Sequence, residues 1–171
     1  LKKHLVLLAI MWLPLLQACG QAPDKAYALM LKGLYNNTVP VVAPTDLYSI
    51  LASEEKKPLL LDTRQLAEYK VSHLAGARFA NYDTFEATQL KNLPKDHPIV
   101  VYCSVGYRSE QVGEKLRKAG FTNVQNLYGG IFGWVNQGYP VYDSEGKTTK
   151  VHAYSRAWGV WLKKGEKVYD K

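Results

Sequence analysis

From Val39 onward the chain alternates short apolar runs with stretches of helical periodicity. Residues 39–42, 58–62, 76–80, 99–103 and 124–127 read as five strands. Leu59, Leu60 and Leu61 follow Pro58 without polar alternation, the pattern of a strand covered on both faces. Thr45 is placed to cap a helix whose Leu47, Ile50 and Leu51 face inward, and residues 65–69 make a short helix. Asp83 with Glu86 gives a capping-box pattern opening a helix to about Leu90. The clearest helix spans residues 110–119, with Val112, Leu116 and Ala119 apolar, Lys115, Arg117 and Lys118 near its end and Gly120 beyond it. Gly129-Gly130 permits a sharp turn into a short helix at Trp134. Five strands separated by helical segments predict an α/β domain: a five-stranded, mainly parallel sheet with helices on both faces. Its functional site should lie beyond the strands' carboxyl ends, where Asp62 and Cys103 fall.

The flanks follow other patterns. Lys2 and Lys3 precede an apolar run, Leu5 to Leu16, that is too short to span a bilayer comfortably and is broken by Pro14. Ending in Leu16-Gln17-Ala18-Cys19-Gly20, the segment resembles a bacterial lipoprotein signal, which implies cleavage before Cys19 and lipidation of that cysteine. An ordinary signal peptide with a chance cysteine is the alternative. Residues 1–18 are thus the expected leader, residues 19–38 a tether and short helix, residues 39–142 the domain and residues 143–171 an extension. In the short helix Ala26, Leu29, Met30 and Leu34 fall at helical spacing after Asp24, and Asn36 and Asn37 end it. The extension is basic and carries Tyr154, Ala157, Trp158 and Trp161 at helical spacing, so it is expected to dock on its own domain. Contact with the membrane surface is the alternative. Gly20 lacks the acidic side chain associated with inner-membrane retention, so an outer-membrane lipoprotein facing the periplasm is expected.

Composition narrows the chemistry. With 47% hydrophobic and 22% charged residues, the chain is in the ordinary globular range. Loss of residues 1–18 removes two lysines and no acid, taking the formal charge from +7 to +5. That excess suits an anionic substrate or membrane surface, or simply reflects scattered solvated lysines; nucleic acid is not an expected partner. The two cysteines have different jobs, which leaves no disulfide pair, and no Cys/His cluster has metal-ligand spacing; neither a metal nor a cofactor is expected. His73 reads as a hydrogen-bonded structural histidine.

Cys103 ends its strand just before Ser104-Val105-Gly106-Tyr107-Arg108-Ser109-Glu110, a glycine-containing loop that opens a helix. Loop amides and the unpaired amides of a first helical turn converge at such a strand end and favour an anion, so Cys103 is expected to react as a thiolate. No histidine is adjacent in sequence, which assigns activation to the backbone. Asp62 and Arg64 read as scaffold, a carboxylate holding backbone and a guanidinium able to pair with Glu68 or another acid.

Cys103-x-x-Gly106-x-Arg108-Ser109 after an apolar strand resembles the active-site loop of single-domain rhodanese sulfurtransferases. Asp62-Thr63-Arg64, Glu68-Tyr69 and Ser72-His73-Leu74-Ala75-Gly76-Ala77 are similar to that family's first signature, and the stretches at residues 127–134 and 138–141 to its closing one. The resemblance implies sulfane-sulfur transfer through a Cys103 persulfide held by the loop Ser104 to Ser109, from a small anionic donor to a thiol or cyanide-like acceptor. Arg108 would steer the donor, and Ser109 would cap the helix or donate to the pocket. Two positions depart from the pattern: Ser72 replaces a usual glycine, and Ser104-Val105 stand where some thiosulfate-using members place cations, which points toward polysulfide or a protein persulfide. A non-catalytic periplasmic binding module of the same fold is the main alternative, followed by a thiol redox protein and a phosphatase-like enzyme. Phosphatases of a related fold use Cys-x5-Arg; the Cys-x4-Arg loop here fits a sulfur atom better than a tetrahedral oxyanion.

Overall fold

The computed structural model describes residues 25–53 and 57–170. The expected leader, Cys19 with its expected lipid, the tether at 20–23 and most of a charged turn at 54–57 lie outside the described residues.

The domain comprises α1 (Lys25–Leu34), β1 (Val41–Val42), α2 (Pro44–Ala52), β2 (Leu59–Asp62), α3 (Leu66–Val71), β3 (Arg78–Phe79), β4 (Ile99–Tyr102), α4 (Tyr107–Lys118), β5 (Val124–Leu127) and α5 (Gly130–Asn136). The five strands form one sheet in the order β1-β5-β4-β2-β3, and every pair is parallel. β4 is the middle strand, and all four of its residues are buried. Successive strand side chains point to opposite faces, so the sheet feeds two cores. Leu60, Val100 and Tyr102 join Tyr27 and Leu31 of α1, Leu47 of α2 and Ile131 and Phe132 of α5. Leu61 and Val101 join Val112 and Leu116 of α4. This is the layered α/β arrangement expected from the apolar runs.

Several local expectations need correction. α1 turns Tyr27 and Leu31 inward and leaves Leu29 71% exposed, with Ala26 on the same outward side. Tyr27 is buried because its hydroxyl donates to Gly129 O at 2.8 Å, a partner that spacing of aliphatic residues cannot report. Thr45 lies inside α2; the cap position is Ala43, and Pro44 begins the helix, where its missing N–H costs nothing. Asp83 and Glu86 make no capping box, because Asp83 accepts from Gln65 Nε2 at 2.6 Å and only a 3-10 turn (Ala87–Leu90) follows. The capping box belongs to α3, between Gln65 and Glu68. α4 begins at Tyr107, three residues before the predicted start, and Ala119 is exposed.

The extension is not one aromatic helix. Its expected start falls inside β6 (Val141–Asp143), which forms a hairpin with β7 (Gly146–Thr148); then β8 (Lys150–His152) pairs in parallel with β9 (Glu166–Val168), and between these lies the four-residue α6 (Arg156–Gly159). Val151, Ala153 and Leu162 are fully buried in the core that contains Val100, and Trp158 and Trp161 pack against it. Trp161 stacks on Tyr27 of α1, with ring centroids 5.7 Å apart. No described helix is long and apolar enough to cross a membrane.

Candidate functional site

Cys103 follows the last residue of β4 and is 1% exposed. The chain then turns through Ser104 and Val105 to Gly106, whose φ of 107° is in the left-handed region that suits glycine and caps α4. A Cβ at Gly106 would collide with the Tyr35 ring. Gly106 N–H donates to Cys103 Sγ at 3.1 Å, which places a backbone dipole and the α4 N-terminus against the sulfur.

Three other elements hold the loop. Tyr35, just past α1, donates its hydroxyl to Val105 O at 2.6 Å and accepts Gly129 N–H at 2.9 Å. α5 donates Ile131 N–H to Cys103 O at 2.9 Å and Phe132 N–H to Ser104 O at 3.1 Å, so its first-turn amides are spent on the loop. Asn126 of β5 donates Nδ2 to Gly106 O at 2.9 Å and accepts the Ser109 hydroxyl at 2.8 Å. Ser109 is therefore neither the cap nor a pocket donor: it lies inside α4, fully buried, and orients Asn126.

Arg108, expected to steer a donor, lines the cavity in front of Cys103 and is paired there with an acid. Glu68 of α3 accepts Nη1 and Nη2, each at 2.9 Å, and the Ser104 hydroxyl at 2.9 Å, while Arg108 Nη2 reaches Ser104 Oγ at 3.0 Å. Burial opposes the charge on Glu68, but the Arg108 hydrogen bonds and charge outweigh it, aided by Gln65 N–H and Arg64, and the carboxyl stays below its usual range. Burial likewise opposes the Arg108 charge and is outweighed by Glu68 and Cys103, so its pKa rises. The Tyr154 ring completes the enclosure, its centroid 5.1 Å from Arg108 Cζ.

Arg64 pairs with Asp62 instead of Glu68. Nε and Nη2 meet the two carboxylate oxygens at 2.9 and 2.6 Å, Nη2 also reaches Ser72 O at 2.6 Å, and both side chains are fully buried. The pair ties the end of β2 to the turn after α3, a structural role. Ser72 contributes its backbone there, with φ −173°, an extended conformation open to any residue, so the usual glycine is not required. His73 stacks on Tyr69 and its Nδ1 lies 3.0 Å from Tyr69 O.

A cavity of about 300 Å³ reaches Cys103. Its lining comes from the loop (Ser104, Val105), the start of α4 (Tyr107, Arg108), α1 (Leu34) and the extension (Tyr154, Trp158). A roomier hollow of about 560 Å³ beside Lys95 and Lys115 has no cysteine in its lining. Among the described residues no group of acidic, histidine or cysteine side chains is arranged to hold a metal ion.

Sequence reasoning missed Tyr35, Asn126, Leu34 and the role of Glu68. Asn126 had a signal, a polar side chain next to Leu127 near the end of a central strand, and such residues are buried only with partners. The others are joined to the loop by contacts distant in sequence.

The family model for the rhodanese-like domain matches residues 43–137. The probable adenylyltransferase/sulfurtransferase MoeZ of Mycobacterium tuberculosis is 33% identical over 125 residues, covering 72% of this chain and 30% of that protein. The tRNA uridine(34) hydroxylase of Protochlamydia amoebophila is 37% identical over 106 residues, covering 58% of this chain and 33% of the relative. The chain thus spans about a third of the length of these curated relatives. Among solved structures, the rhodanese-like domain of an Anabaena sp. protein superposes with a TM-score of 0.56 at 28% identity, covering 61% of this chain and 79% of that one.

Proposed function

Because the chain belongs to the rhodanese-like family and is homologous to sulfurtransferases, we propose that it moves sulfane sulfur from a donor to a thiophilic acceptor through a persulfide on Cys103. One observation carries this: the only thiol among the described residues stands at the carboxyl end of the central strand, with Gly106 N–H on its sulfur and a small cavity in front of it. The Cys103 thiolate attacks the outer sulfur of the donor; a Cys103 S–S bond forms, and the donor's bond to that sulfur breaks, its electron pair leaving with the remainder. A thiol or cyanide-like acceptor then attacks the outer sulfur and restores the thiolate. The Gly106 amide and the α4 N-terminus stabilise the sulfur anion in both states. Thiosulfate, polysulfide and persulfides are the candidate donors.

The arginine argues against a phosphatase-like reaction. A doubly charged phosphoryl group is best clamped by a guanidinium fork, and on Arg108 both Nη atoms already donate to the Glu68 carboxylate, whose negative charge a phosphoryl group would have to approach. A lipid anchor on Cys19, holding the domain at the outer membrane on the periplasmic side, is part of the same proposal.

The decisive experiment is intact mass after exposure to sulfane donors. Cys103 should gain one sulfur, roughly 32 Da, and lose it to cyanide or thiol, while Cys103→Ser keeps the fold and loses transfer. A serine variant that still transfers sulfur would remove the mechanism and leave the binding-module alternative.

A further inference from the structure

Three residues lining the Cys103 cavity, Leu34, Tyr154 and Trp158, lie outside the family-matched residues 43–137, so this part of the wall is added by the chain's own flanking segments. With Val105 and Tyr107 they make the lining predominantly apolar and aromatic. Arg108 is the one charged lining residue, and its charge is already met by both oxygens of Glu68. A small anion entering here must displace that carboxylate or sit beside it, and both carry an electrostatic cost.

Tyr154 is held in place deliberately. Its φ of 63° is uncommon for a bulky side chain. The buried His152 fixes it, accepting Tyr154 N–H on Nδ1 at 3.1 Å while its Nε2 lies 3.0 Å from Asp170 Oδ1. A backbone conformation of this kind, locked by a buried side chain and turning an aromatic ring toward the nucleophile's cavity, indicates a selected contact. The volume, about 300 Å³, lies at the small end of sites that take small molecules, which span about 300 to 1,000 Å³. It admits one aromatic or branched aliphatic group.

We propose that the sulfur donor is a low-molecular-weight organic persulfide, R–S–SH, whose uncharged aromatic or aliphatic R group packs against Tyr154 and Trp158, and that thiosulfate is a poor donor. This rests on the sulfurtransferase function proposed above. The step balances without an outside oxidant: Cys103–S⁻ attacks the terminal sulfur, the carrier's S–S bond breaks, and R–S⁻ leaves and takes the proton from the transferred sulfur. The products are Cys103–S–S⁻ and R–SH.

The test measures initial rates of persulfide formation on Cys103 in the full chain by intact mass, with benzyl persulfide, thiosulfate and inorganic polysulfide. Each rate is divided by that of a small free thiol with the same donor, to remove intrinsic reactivity. Benzyl persulfide should exceed thiosulfate by about tenfold or more. Tyr154→Asn, which suits the left-handed backbone, and Trp158→Ala should each lower that ratio several-fold, with circular dichroism confirming the fold; if one variant fails to fold, the other decides. If polysulfide loads Cys103 but benzyl persulfide does no better than thiosulfate, or neither folded variant moves the ratio, the donor class is wrong while sulfur transfer stands. If none of the three loads Cys103, sulfur transfer falls and this proposal falls with it.

Discussion

Glu68 is asked to do three things with one carboxylate: accept Gln65 N–H at the start of α3, hold Arg108 through two bonds, and take the hydroxyl of Ser104. Its pKa is lowered on folding, so it contributes stability that is fully present above the unfolded-state value, about 4.3, and is lost as pH falls through the folded-state value. Glu68→Gln should lower stability at neutral pH by somewhat less than the roughly 3 to 5 kcal/mol of a fully buried broken pair, because Arg108 keeps 16% of its side chain exposed. Melting curves of both proteins from neutral to acid pH check this: the gap should narrow below about pH 4. A gap independent of pH would assign the loss to packing. Cys103 itself was legible because strand, loop glycine and helix are contiguous in sequence. The neutralisation of Arg108 was not legible, since Glu68 lies on another helix and nothing local records which acid turns toward the loop.

At the level of elements, the loop's geometry is set by what docks on it. Tyr35 bridges the loop and the turn into α5 through one hydroxyl. Tyr35→Phe should leave Val105 O and Gly129 N–H without that partner, at a cost of about 1 to 3 kcal/mol. Urea unfolding should show the loss of stability, and alkylation of Cys103 should become faster as the loop loosens. The sheet was readable because buried parallel strands must be apolar runs, as residues 59–61 and 99–101 are. The extension was not. Trp158 and Trp161 do fall at helical spacing, but the segment is organised by pairing of β8 with β9 and by buried Val151 and Leu162. Pairing between separated strands leaves no period in the sequence.

For the whole molecule, one truncation and one substitution separate anchoring from folding. Truncation before Asp143 removes the buried Val151, Ala153 and Leu162 together with Trp158 and Trp161, and should lower the melting temperature markedly. An unchanged melting temperature with weaker liposome binding would favour a membrane role for the extension. Cys19→Ala should leave the domain's melting temperature as it is and release the protein from the membrane fraction; retention in the membrane would overturn the anchor. The stacking of Tyr27 on Trp161 also has a temporal side. α1 precedes the sheet in the chain and the extension follows it, yet Leu34, Tyr154 and Trp158 together line the cavity at Cys103. At about 5 to 20 residues per second, the sheet and its thiol emerge a few seconds ahead of the aromatic residues that enclose them. Until Tyr154 and Trp158 dock, the cavity lacks two of its walls, so an oxidant or electrophile that reaches the sheet at that stage meets Cys103 without their screening.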